Sequence, residues 1–125
     1  MLEQAQCEAL DLAVYLQKLM QADEVNAFEF LWHDLSQWSQ RTFGTDSERG
    51  PVGPLKHLIK EANEAIASPG DITEYADCLI LVFDSARRAG FSLTSLAEAA
   101  KDKHLRNKLR HYPKPVGDEI SEHIK

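Results

Sequence analysis

LKHLIKEANEAIASPGDITEYADCLILVF, residues 55–83, decides the fold of this chain. Leu55, Leu58, Ile59, Ala62 and Ile66 recur at helical spacing, which predicts an amphipathic helix over 55–67. Ser68-Pro69-Gly70 breaks the pattern and should fold the next helix back on the first. Asp71 is suited to cap that second helix, with Glu74 at the capping-box position. The second helix should run to about Arg88 and stop before Gly90. From Ala76 through Cys78–Phe83 to Ala86 it is apolar nearly all round, as expected of a helix at the centre of a bundle.

The same stretch carries two acidic pairs, Glu61 with Glu64 and Glu74 with Asp77. Residues three apart on an α-helix lie about 60° apart around its axis, so each pair shares a face. If the helices fold back on each other, four carboxylates can meet. Such a cluster repels itself unless a cation sits there, and hard oxygen ligands suit Mg²⁺, with Mn²⁺ as a substitute. Solvated helix surface is the competing explanation, and spacing alone divides the two evenly. Ala62, Ala65 and Ile66 beside the first pair, and Cys78–Phe83 beside Asp77, favour the metal, because an acid at the edge of a core is costly unless paired.

Outward from this stretch, nothing reads as strand. A first helix is expected from Leu2 to about Met20, on Leu10, Val14, Leu16, Leu19 and Met20. Asp23 is placed to cap a second, over 27–43, with Phe28, Leu31, Leu35 and Trp38 at helical spacing. Residues 44–54 are rich in Gly, Pro, Asp and Ser and predict a loop. A fifth helix should begin at Ser92 or Thr94 and end before Pro113, followed by a polar, loose tail over 115–125. Short connections favour antiparallel neighbours, so the fold class is an all-α antiparallel bundle of about five helices. The 125 residues fit a single domain with enough surface to bury for a core. Residues 1–26 carry no motif.

A hydrophobic content of 43% fits an ordinary soluble protein. The formal net charge of −6 disfavours a nucleic-acid partner. No apolar run approaches a membrane span or follows a basic start, so neither a membrane partner nor a signal peptide is expected and the cytoplasm is the default. Cys7 and Cys78 read as free thiols of a reducing compartment. There is no GxxxxGK[ST], GxGxxG or HExxH pattern and no recognisable nucleophile setting.

The charge is uneven. Residues 101–114 hold Lys101, Lys103, Arg106, Lys108, Arg110 and Lys114 against the lone acid Asp102. Lys103, Asn107 and Arg110 can share a face. Alone this is a solvated basic helix end; beside a metal cluster it is what a polyphosphate requires. Trp32, His33, Trp38 and Phe43 read mostly as core, His33 as a structural histidine. Trp38, in the polar setting Gln37-Trp38-Ser39-Gln40, is the one placed to stack on a base.

Taken together these features resemble the MazG-like all-α nucleotide pyrophosphohydrolases, and within them the phage and bacterial dATP/dGTP pyrophosphohydrolase branch. The resemblance rests on residues 38–44 (WSQRTFG), 50–58 (GPVGPLKHL), 60–65 (KEANEA) and 71–77 (DITEYAD), with Lys103, Asn107 and Arg110 before Pro113. It implies hydrolysis of a deoxynucleoside triphosphate, a purine above all and dGTP among them, to the monophosphate and diphosphate. It implies metal ligands at Glu61, Glu64, Glu74 and Asp77, with Glu61 or Glu64 taking the proton from water. Substrate would be held by Trp38 at the base and by Lys103, Asn107 and Arg110 at the phosphates. Relatives assemble as dimers or tetramers, so a homo-oligomer is implied. Lys60 departs from the two consecutive acids that open the motif in many relatives, the interval between Glu64 and Glu74 is shorter than in many, and Tyr112 stands where close relatives often have Trp. The alternatives are a housecleaning enzyme for pyrimidine or modified nucleotides, a metal-dependent nuclease, and a non-enzymatic helical interaction module.

Overall fold

A computed structural model of the chain describes residues 9, 10, 12–14, 16, 17, 20 and 24–124. Four helices have defined bounds: α1, Glu24–Phe43; α2, Val52–Ala67; α3, Ile72–Arg88; and α4, Leu93–Lys108. The described residues between 9 and 20 are helical as well, and no described residue lies in a strand. The expected all-α class is therefore what forms. Leu2, Cys7, Leu19 and the proposed cap Asp23 lie outside the described residues. The chain divides after Leu93 into two compact units.

In the first unit, α3 packs most extensively on α2 and also on α1. The connection from Ser68 to Asp71 is too short for anything but an antiparallel pair. Asp71 caps α3: its Oδ1 accepts from the Thr73 backbone N–H at 3.0 Å and from the Thr73 hydroxyl at 2.7 Å. The capping box does not form. The Asp71 N–H donates to Ser68 O at 3.0 Å instead, which frees Glu74 from that local task.

Two helices begin three residues earlier than the periodicity predicts. α1 starts at Glu24 rather than Ala27, and α2 at Val52 rather than Leu55. In α2 the cause is that Pro51 stands at the N-cap and Pro54 in the first turn. First-turn amides have no acceptor within the helix, so a missing N–H costs nothing there. Proline read as loop was in fact helix start.

The hydrophobic core is small: among the described residues the buried apolar side chains are Leu35, Pro54 and Phe83. Phe83 of α3 is its pivot, with the α1 rings of Phe28 and Trp32 centred 6.0 and 5.2 Å away. The central helix is thus apolar in its middle and buried most deeply at its charged end. Asp84, Arg87 and Arg88 are all buried.

That end is a closed polar network. Asp84 Oδ1 accepts from Arg87 Nη2 and Nε at 2.8 and 3.1 Å. Its Oδ2 accepts from the Ser39 hydroxyl at 2.6 Å and from Arg88 Nε at 3.3 Å. Arg87 reaches on to both oxygens of Asp46 at 2.9 and 2.8 Å. Arg88 donates to the carbonyls of Ser39, Gly44 and Arg49 at 3.2, 3.1 and 3.0 Å. The Ser85 hydroxyl holds Pro51 O at 2.8 Å. Buried carbonyls of an irregular segment must find donors, and these side chains supply them, stitching residues 44–51 to the end of α3. Burial alone would push the Asp84 carboxyl up, but the hydrogen bonds from Ser39, Arg87 and Arg88 outweigh it and hold it below the ordinary carboxylate range.

In the second unit, α4 is followed by a tail that is not loose. Ile124 N–H donates to His111 O at 2.8 Å, the Ser121 hydroxyl bonds Pro113 O, and the rings of Tyr112 and His123 lie 6.0 Å apart. Gly117, at φ 56°, takes a left-handed conformation that suits glycine, and the segment folds back on itself. A polar tail can order itself through such local closures without a core.

Candidate active site

The two acidic pairs sit on the packed helices α2 and α3, and the structure brings three of the four together. Glu61, Glu64 and Glu74 each offer an oxygen within 4.8 Å of the others. Asp77, one turn on from Glu74, stands outside that group and lines a cleft together with Glu61. Glu61 and Glu74 are half-buried, Glu64 and Asp77 exposed.

The electrostatics record the crowding. Burial, followed by the charges of Glu64, Asp71 and Asp77, pushes the Glu74 carboxyl above its ordinary range. Glu64 is also pushed up, first because a proton on it can be shared with Glu61 and then by that neighbour's charge; Lys60 and His57 oppose the shift. With the carboxyls ionised, Glu61 Oε2 and Glu74 Oε2 are buried without a hydrogen-bond donor. Orphaned buried acceptors are costly, and here one stands on each of two packed helices. An oxygen-only donor set with unsatisfied buried oxygens fits a hard divalent cation.

Beside the acids lies a cleft of about 300 Å³, walled by Leu35, Trp38, Phe43, Ile80 and Leu81 and edged by His57, Glu61, Asp77 and Asp84. Trp38 does face this cleft, as its polar sequence setting suggests. Phe43, read as core, is half-exposed and forms a second wall: the two rings are 5.4 Å apart and at 89° to each other. The Arg49 guanidinium lies 5.7 Å from the Phe43 ring centre and fixes it by a cation–π contact. Trp32 is half-buried against Phe83, while His33 is exposed and pairs with the Gln37 side chain at 3.3 Å. Asp84 lines the cleft but is saturated by its own network, so it is a poor reader of a bound base.

The basic residues belong to the second unit. Lys103 and Asn107 lie four apart on α4, Lys103 exposed and Asn107 half-buried. Arg110 follows the helix end on a turn whose N–H bonds Asn107 O at 3.2 Å.

Two features escaped the sequence reading. One is His57, whose Nε2 lies 3.0 Å from Glu61 Oε1. The other is the Asp84–Arg87–Arg88 network. Both leave a sequence signal, a histidine four residues before an acid and charges of both signs at i, i+3, i+4 in an apolar helix. Neither signal tells burial from exposure.

Residues 31–125 match the model of the dATP/dGTP pyrophosphohydrolase family. The chain belongs to that family. It is 44% identical over 124 residues to the Eaa protein of Salmonella phage P22, covering 99% of this chain but only 38% of that protein's length. It is also similar, at 30% identity and a TM-score of 0.59, to a solved structure described as a cyanophage S-2L MazG-like pyrophosphohydrolase bound to dGDP and three catalytic Mn²⁺ ions per active site. That likeness covers 76% of this chain and 94% of the other. Family and neighbour together agree with the MazG-like all-α reading. Among the described residues no helix is long and apolar enough to cross a membrane.

Proposed function

We propose that this chain is a divalent-metal-dependent nucleotide pyrophosphohydrolase that converts a purine deoxynucleoside triphosphate, dATP or dGTP, to the monophosphate and diphosphate. The observation that carries the reading is the pair of buried, donorless oxygens on Glu61 and Glu74, within reach of Glu64 and beside an aromatic-walled cleft. The family match supports the reaction class. The nucleotide and Mn²⁺ of the cyanophage protein support the pairing of a metal cluster with a nucleotide site.

On this reading Glu61, Glu64, Glu74 and Asp77 hold Mg²⁺, or Mn²⁺ in its place. The cation supplies a lowered pKa for water and charge neutralisation on the phosphates. Glu61 or Glu64 takes the proton from the attacking water. The base enters the cleft, one face on Trp38 and its edge toward Phe43, an arrangement two perpendicular rings favour. Leu35, Ile80 and Leu81 keep water from the base. Lys103, Asn107 and Arg110 hold the β- and γ-phosphates through charge-assisted hydrogen bonds.

Assembly into a dimer or tetramer belongs to the same proposal. Ile59 and Ile66 on α2 and Ile72 at the start of α3 are 67, 76 and 79% exposed, an apolar surface that a second copy would cover.

The test is product analysis. Purified protein with each of the four dNTPs and Mg²⁺ or Mn²⁺ should release diphosphate and dNMP from the purine substrates. Release of orthophosphate and dNDP, or faster turnover of pyrimidines, would reject the reaction or the base choice respectively. Glu64→Gln and Asp77→Asn should each lower kcat by roughly 100-fold or more with the circular dichroism spectrum unchanged.

A further inference from the structure

We propose that His57 is a positioning residue for the metal centre, holding Glu61 so that its second oxygen is presented to the cation; this rests on the reading of the acids as metal ligands. His57 and Glu61 are one turn apart on α2, and the imidazole Nε2 lies 3.0 Å from Glu61 Oε1. An ionised carboxylate can only accept, so Nε2 carries the proton and the tautomer is fixed by the contact. With Oε1 engaged by the imidazole, Oε2 is left buried and without a donor, the Glu61 oxygen that lacks a partner.

The geometry also explains why such a hold is needed. Glu61, Glu64 and Glu74 crowd within 4.8 Å, and their mutual repulsion in a partly desolvated site favours turning a carboxylate outward. The Glu61 side chain is only 13% exposed, and His57 is the donor that holds it in. Ligating groups throughout metal sites are oriented by such hydrogen bonds from outside the coordination sphere. His57 is not itself one of the converging donors, since the group within mutual reach is Glu61, Glu64 and Glu74. It stands on the cleft wall, half in solvent, where its loss leaves the fold little changed.

The experiment measures Mn²⁺ binding directly, by the electron paramagnetic resonance signal of free Mn²⁺, on the full chain without nucleotide. His57→Ala should weaken binding by roughly 10- to 100-fold, while the thermal midpoint stays within a few degrees of the wild type. His57→Gln, whose amide N–H can reach the same oxygen, should restore most of the affinity. Tight binding by His57→Ala overturns the role. So does a His57→Gln variant that binds as weakly as His57→Ala, because the imidazole would then be a ligand rather than an orienting donor. A wild-type chain with no stoichiometric Mn²⁺ site would overturn the metal reading itself, and this role with it; the wild-type arm separates that failure from the other two.

Discussion

Asp84 shows how far one residue can be from its sequence appearance. It stands in an apolar helix, lines the cleft beside the acids, and is held ionised by Ser39, Arg87 and Arg88. Removing the charge from this buried network leaves two guanidinium groups with the part-exposed Asp46 as their remaining carboxylate. Asp84→Asn should therefore cost about 3 kcal/mol near neutral pH, measured by urea unfolding. The pH dependence follows from the lowered folded-state pKa. The stabilisation is fully present above the unfolded carboxyl pKa of about 3.9 and is lost as pH falls through the lower folded value. The gap between wild type and Asp84→Asn should then be flat from pH 7 to 5 and narrow below about pH 4. A gap that widens on acidification would contradict the network. Glu74 has the opposite character: among the described residues none satisfies its buried oxygen, which marks it for a ligand rather than for stability.

At the scale of elements, the junction between α2 and α3 carries the site. Ser68-Pro69-Gly70 ends one helix and Asp71 starts the other, so the turn sets where Glu74 stands relative to Glu61 and Glu64. Asp71→Ala removes the acceptor for the Thr73 N–H and should lower the thermal midpoint by a few degrees, with Asp71→Ser much milder. Because the cap sets the first turn that bears Glu74, Mn²⁺ affinity should fall as well, which calorimetric titration would register. Unchanged affinity would mean that α2–α3 packing alone fixes Glu74. The capping box was legible as a pattern yet does not form, since Ser68 O captures the Asp71 N–H first. Competition between a tight turn and a side chain is invisible in residue spacing.

At the scale of the whole molecule, the described residues bury little apolar surface: Leu35 and Phe83 are buried, whereas Ile59, Ile66 and Ile72 are largely exposed. A single copy of mass 14.1 kDa is thus expected to associate. Light scattering after size-exclusion chromatography should give a dimer or tetramer mass, and Ile59→Glu should shift it toward the monomer. A wild-type protein that elutes and scatters as a monomer at micromolar concentration would end the oligomer proposal.

Sequence alone determined the helices and which residues share a face of each, because helical rise and turn are local and the same everywhere. The pairing of Glu61 with Glu64 and of Glu74 with Asp77, the break between them and the polar setting of Trp38 were all readable on that basis. Only tertiary structure decided that Glu61 and Glu74 each leave a buried oxygen without a donor, that Phe43 turns from core to cleft wall, and that Asp84 is locked between two arginines. Those properties depend on how much water the packed helices exclude and on which neighbours arrive from distant parts of the chain, and neither quantity has a period along the sequence.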